Sequence, residues 1–394
     1  MRKSIIMAVL LVFPLAVTNA QNTVGQVLEE IEKNNSELAA LRARTEADKY
    51  SYKSGNALDD PEFGFDYLWS NPDVGGRKDF SVTQTLDMAV LFGSKGRLAA
   101  TRSEFADMRY NVERQRVLLD AKTVFIELVY CNAMRRELSL RLEHSEEVFK
   151  AYQKMLERGE TGKTEANAAR LAMSSARGEY SRNEIERSNL LEELRRLNGG
   201  NAIVMEADEY ESTPLLPKDF DEWYAEFAES SPVLAYVAQN VKVREQEMKT
   251  EKAANAPKIT AGYMSELVKG SNFRGLTLGV SIPLWSVRNN VRQAKASYEA
   301  SRLEQEDAVS QYYTQMRQMF DKALGLQELL CGYDESMEAA EESAGLIDER
   351  FAAGEASLTE CLMELGLYYN IVDQTLAAER DYQLALARLE SYKL

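Results

Sequence analysis

The sequence predicts a mostly α-helical chain with a transmembrane β portion: duplicated long α-helical hairpins, four β-strands per chain, and a 12-stranded β-barrel closed as a trimer. Three observations carry this. No proline lies between Pro72 and Pro214, or between Pro283 and the C-terminus. The sequence repeats itself, with Leu38, Pro61 and Tyr67 matched by Leu234, Pro257 and Tyr263, and Gly159-Glu160 matched by Gly354-Glu355. Between the helical tracts lie short segments that alternate with period two.

Residues 1–20 read as a secretory signal peptide. Arg2 and Lys3 form a basic head, Ile5 to Val17 is apolar, and Thr18-Asn19-Ala20 supplies a small-x-small cleavage site before Gln21. Beyond it no run approaches the ~18 uninterrupted apolar residues of a membrane-spanning helix, so the exported chain is soluble or crosses a membrane by strands. The remainder divides into a first repeat, 21–200, a linker, 201–215, and a second repeat, 216–394.

In the first repeat Phe63, Phe65, Tyr67 and Trp69 alternate with Glu62, Gly64, Asp66 and Leu68. Phe80, Val82, Gln84 and Leu86 alternate with Ser81, Thr83, Thr85 and Asp87. These patterns predict strands at about 62–70 and 78–87, joined by a turn at Asn71-Pro72-Asp73-Val74-Gly75-Gly76. The second repeat predicts strands at about 258–268 and 275–283 around Lys269-Gly270-Ser271-Asn272. Each is near the ~9–11 residues that cross a bilayer at a tilt, with one apolar or aromatic face and one small, polar face. Four strands cannot enclose a passable lumen, so copies must combine.

Helical tracts rich in Ala, Glu, Arg, Leu, Gln and Met follow each strand pair. From Val309 through Met316, Ala323, Leu330 and Ala344 to Phe351, apolar residues advance by alternating steps of three and four, a coiled-coil signature. The same register runs from Val117 through Cys131 to Leu156 in the first repeat, broken only by Arg135 and Ser145. Each tract reaches a glycine turn, Arg158-Gly159-Glu160 or Ala353-Gly354-Glu355, and a second amphipathic run returns. Each repeat is therefore a long antiparallel hairpin.

Composition excludes several functions. With 63 acidic against 47 basic residues and a net charge of −16, nucleic-acid binding is disfavoured. Cys131, Cys331 and Cys361 form no CxxC pair, and the single histidine, His144, cannot build a His-based metal site or triad. No GxSxG, HExxH, Walker or GxGxxG constellation stands in its required context, so no enzyme, catalytic residue, cofactor or metal ligand is assigned.

The leader, the duplicated strand and helix hairpins, and the paired glycine turns followed by Thr164-Glu165 and Thr359-Glu360 resemble the TolC-type outer membrane efflux proteins. Further matches are Asn35-Ser36-Glu37-Leu38 with Ser231-Pro232-Val233-Leu234, Pro61 and Pro257 ahead of strands, and Val280-Ser281-Ile282-Pro283. The resemblance implies a homotrimeric channel in outer-membrane lipid with a large periplasmic α-barrel. It implies a passive conduit that docks on a periplasmic adaptor (membrane fusion) protein and, through it, an inner-membrane pump. It places adaptor docking at the helix tips, here Arg158, Gly159, Glu160 and Thr164 with Gly354, Glu355 and Thr359. It also puts Glu360 where the family's type member has an inward-facing aspartate, with Glu364 one turn further on the same face as a second candidate for the pore gate. The type member's closing arginine and tyrosine are replaced by Ala356 and Phe351. A periplasmic coiled-coil scaffold, or the adaptor itself without a pore, is the alternative that two hairpins and bilayer-length strands argue against.

Overall fold

The computed structural model describes residues 23–69, 76–212, 216–217, 219–282 and 287–394. The signal peptide, most of the Asn71–Gly76 turn, Pro214 at the linker's end and Pro283 lie outside the described residues. Along the chain run α1 (Val24–Asn34), α2 (Ser36–Ser54), β1 (Glu62–Leu68), β2 (Arg77–Leu86), α3 (Met88–Leu91), α4 (Ser94–Glu157) and α5 (Lys163–Leu197). Then come α6 (Phe220–Ser230), α7 (Pro232–Ala253), β3 (Lys258–Val268), β4 (Ser271–Ser281), α8 (Val287–Ala352) and α9 (Leu358–Leu389).

Local chemistry starts the helices at matching places in the two repeats. Asn35 separates α1 from α2, and its side chain accepts the Leu38 N–H at 2.9 Å. Ser231 separates α6 from α7 and accepts the Leu234 N–H at 3.4 Å. The recurring Asn/Ser-x-x-Leu motif is thus an N-cap plus its third helical residue. Thr23 and Gln26 add a reciprocal capping box at the start of α1.

With 64 and 66 residues, α4 and α8 are about 95–100 Å long at ~1.5 Å per residue. The returning α5 and α9, with 35 and 32 residues, cover only the half distal to the sheet. The other half is filled by α2 and α7, which lead into the strands. One layer of long helices results, in the order α2–α4–α7–α8 near the sheet and α5–α4–α9–α8 beyond it. Among the described residues no helix is long and apolar enough to cross a membrane.

Two cores lie at mid-height, where the short helices α1 and α6 strap the long ones. In the first, Val27 and Ile31 of α1 meet Ala121, Phe125, Leu128 and Leu194, with Ile203 and Met205 from the connecting segment. In the second, Phe220 of α6 meets Phe320, Ala323, Tyr382, Leu386 and Leu389. Phe125 and Phe320, Leu128 and Ala323, Leu194 and Leu389 stand at the same repeat offset. The duplication seen in the motifs therefore extends to packing. Gly199, at φ 63°, closes the first core, because any Cβ there would collide with the Asn34 carbonyl oxygen. Phe320 is 1% exposed and meets the Phe220 ring edge-on at 5.3 Å. Phe320→Ala should cost about 3–5 kcal/mol and lower the midpoint of helix loss in denaturant, followed by circular dichroism. An unchanged midpoint would mean that the strap is not part of the cooperative unit.

The two exceptions in the heptad pattern have specific partners. Arg135 reaches across to Glu184 of α5 at 3.1 Å, and the Ser145 hydroxyl donates to the Arg141 carbonyl at 2.7 Å. All three cysteines are unpaired, and burial pushes the Cys131 and Cys361 thiols up to about 11. Both are core residues.

Candidate functional site: the strand sheet, the helix tips and the gate carboxylates

The four strands form one antiparallel sheet in the order β1-β2-β3-β4, so the β2–β3 pair joins the two repeats. Register sorts the side chains. Phe63, Val82, Tyr263 and Leu276 are mutually opposite, as are Leu86, Ile259 and Val280. That places them on one face, where Phe63, Leu276, Leu278 and Val280 are all exposed. Gln84, a polar residue within this band, donates to the Asp59 carbonyl at 2.6 Å rather than facing outward unpaired. The other face carries Ser81, Thr83, Gly262, Thr277 and the Thr85–Thr260 hydroxyl pair at 3.1 Å. An apolar band backed by a small, polar face is the pattern of a sheet between lipid and water.

β4 begins at Ser271, four residues earlier than the alternation suggests. Lys269 and Gly270 alone make the turn, with Gly270 at φ 90° and Val268 paired directly with Ser271. Near this end of the polar face Asp66, Asp79 and Glu266 stand opposite one another. Such like charges repel, and Arg77 offsets them by donating to Asp79 at 2.9 Å and lying 3.2 Å from Glu266. Sequence reading took Asp66 only as a polar alternate; the cross-strand register that collects the group was the missing information.

At the opposite end of the molecule the two helix tips are built alike. Gly159 and Gly354 have φ 75° and 76°. The Glu160 N–H donates to Met155 O and the Glu355 N–H to Arg350 O, each at 2.9 Å, closing both helices with a left-handed glycine. Arg158, Glu160, Thr164, Glu355 and Thr359 are exposed, as are both glycines. The tips differ at re-entry: α5 starts from Gly162 without a side-chain cap, whereas Ser357 caps α9. Glu360 completes that capping box, its Oε2 accepting from the Ser357 N–H and hydroxyl at 2.8 Å each. These hydrogen bonds hold the Glu360 carboxyl below the ordinary glutamate range. Glu364 follows one turn later and is half-buried. Ala356 is half-buried at the tip core, and Phe351 stacks on Tyr152 of α4 with ring centroids 6.4 Å apart.

Residues 223–392 match the family model of the outer membrane efflux proteins. That match lies within the second repeat, so the second repeat is the part of the chain that is similar to this family. The fold is shared along nearly the whole chain with solved structures at low identity. The Campylobacter jejuni CmeC outer membrane channel superposes with a TM-score of 0.75 at 15% identity, covering 94% of this chain and 85% of that one. The outer membrane protein VceC of Vibrio cholerae gives 0.76 at 13% identity, over 94% and 95% of the two chains. The open state of the Neisseria gonorrhoeae MtrE outer membrane channel gives 0.79 at 15%, over 94% and 89%. No curated protein matches.

The seam between the hairpins holds residues that sequence reading passed over. Arg141 of α4 is 5% exposed and donates to both oxygens of Asp373 on α9, at 2.7 and 3.1 Å. Its guanidinium also lies 4.4 Å over the Tyr369 ring. Higher up, Arg380 of α9 lies 4.6 Å over Tyr130 of α4. Tyr369 belongs to the returning amphipathic run, but nothing in the local sequence points across more than 200 positions to Arg141.

Proposed function

We propose that three copies of this chain form the outer membrane channel of a tripartite export system. Twelve strands close the barrel in outer-membrane lipid, twelve long helical segments continue it as a periplasmic tube, and cargo passes through unmodified. The two repeats, 21–200 and 216–394, are duplicated half-units joined by the 201–215 linker. The exposed tips around Gly159 and Gly354 dock on a periplasmic adaptor that links the tube to an inner-membrane pump, and Glu360 with Glu364 line the gate.

One observation supports this reading above others: both layers end in open edges. β1 and β4 each pair on one side only. At helix level the edge helices expose apolar residues, Leu171 and Ile185 on α5, and Leu303, Val309, Leu329 and Leu346 on α8. Unpaired strands and apolar helix edges are costly to leave open, and head-to-tail rotation of identical copies covers every edge at once. Three copies give a lumen that eight strands would fill with side chains. Mass determination in detergent should give three chains, recovered from the outer-membrane fraction. A monomer, or protein released without detergent, would favour the scaffold alternative.

A further inference from the structure

Between α4 and α8 the N-terminus of α7 and the C-terminus of α9 approach end to end. They leave a cavity of about 650 Å³, within the ~300–1,000 Å³ typical of small-molecule sites. Its walls are Val112 and Leu119 of α4, Val233 of α7, and Tyr312, Met316 and Met319 of α8. Methionine side chains reshape readily around a hydrocarbon. The rim is basic. Arg116 is engaged by Glu37, Glu113 and Asp120, but Lys322 and Arg388 are exposed and make no ion pair or side-chain hydrogen bond among the described residues. In a chain with 63 acidic and 47 basic residues, two unbalanced cations over one apolar floor select for an anion that carries a hydrocarbon.

The cavity's orientation fits a ligand arriving from inside the tube. On α4 the first strap packs against Ala121, Phe125 and Leu128, whereas Val112, Arg116 and Leu119 line the cavity. At ~100° per residue these two sets lie on opposite sides of the helix. On α8 the aromatic residues of α6 meet Tyr313 and Phe320, and Phe227 also stacks on Tyr312. Tyr312, Met316 and Met319 thus border both the strap and the cavity, and Lys322 lies on the side of the helix opposite Tyr313 and Phe320. Straps across the lumen would obstruct it, so they belong outside and the cavity inside. All the walls come from one chain and lie between α4 and α8, away from the open edges at α2, α5 and β1, although α8 is itself the edge helix on the other side.

We propose that this cavity binds a single-chain amphiphilic anion from the lumen, its tail against Leu119, Met316 and Met319 and its head group between Lys322 and Arg388. Only the direction of entry rests on the channel reading; the cavity itself belongs to the single chain. The test titrates the full mature chain, held in lipid nanodiscs, with dansylaminoundecanoate and with the corresponding neutral alcohol. The acid should bind saturably, one per chain, and about tenfold more tightly than the alcohol. The double variant Lys322→Ala/Arg388→Ala should erase that difference without weakening the alcohol, and Val112→Trp, which fills the cavity, should abolish binding of both. Equal affinity for acid and alcohol, or wild-type affinity in either variant, would overturn the proposal. Bilayer conductance of the same preparations separates the two readings. Pores without binding would remove the cavity proposal and leave the channel, and binding without pores would do the reverse.

Discussion

Tryptophan in place of Gly354 or Gly159 should abolish export while leaving trimers in the outer membrane. Both glycines occupy the left-handed region, with φ 76° and 75°, and an added Cβ at either meets nothing within 4 Å. The substitution therefore adds backbone strain of only ~1–2 kcal/mol. That is small for a fold held by two mid-height cores far from the tips, and the indole ring would project from the surface proposed to receive the adaptor. Asparagine, which tolerates the left-handed conformation, serves as the matched control and should retain most export. Detergent-extracted mass checks assembly, and cargo release from cells checks function. Full export by both tryptophan variants would confine the glycines to their role in the turns.

The parts of this architecture that were legible in the sequence are those that local physics decides. Missing prolines permit α4 and α8, the three-four spacing orients them, and period-two alternation identifies all four strands. Cys131 was readable as core because it stands where Leu326 stands, and it is 3% exposed. Errors came where one local signal resembled another. Gly270-Ser271-Asn272 has turn composition, yet Ser271 and Asn272 are strand residues, because a turn of Lys269 and Gly270 is enough once Gly270 takes a positive φ. The short straps α1 and α6 do carry a three-four apolar spacing, Val24, Val27, Leu28 and Ile31 in one and Phe220, Trp223, Tyr224 and Phe227 in the other. Each is only 11 residues long and lies outside the long heptad runs, so it was passed over. The cross-hairpin contacts of Arg141 and the carboxylate row tied by Arg77 depend on register between distant segments. Local spacing contains no information about them.

Charge removal at the proposed gate should have the second large effect, and the structure refines how to make it. Glu360→Gln keeps the capping box, since glutamine serves at that position as glutamate does, so charge is lost while the start of α9 is kept. The double variant Glu360→Gln/Glu364→Gln should weaken cation selectivity in planar bilayers, together with block by millimolar divalent ions from the periplasmic side. Sign reversal belongs at Glu364 alone, because lysine at 360 would also break the cap; Glu364→Lys should move selectivity toward anions. The pH dependence has a definite sign. The Ser357 hydrogen bonds depress the Glu360 pKa in the folded chain, so their stabilisation is fully present above the unfolded glutamate value. It is lost as pH falls through the lower, folded value. Within one chain Glu360 therefore stays charged through mildly acidic conditions, and selectivity should persist there. Three such carboxylates brought close in a trimer raise one another's pKa and oppose this. Selectivity that fades while pH is still within the ordinary carboxylate range would thus measure how tightly the ring is drawn together. Wild-type selectivity and divalent block in the double glutamine variant would move the acidic ring elsewhere, with Glu160 and Glu165 of the first repeat next to test.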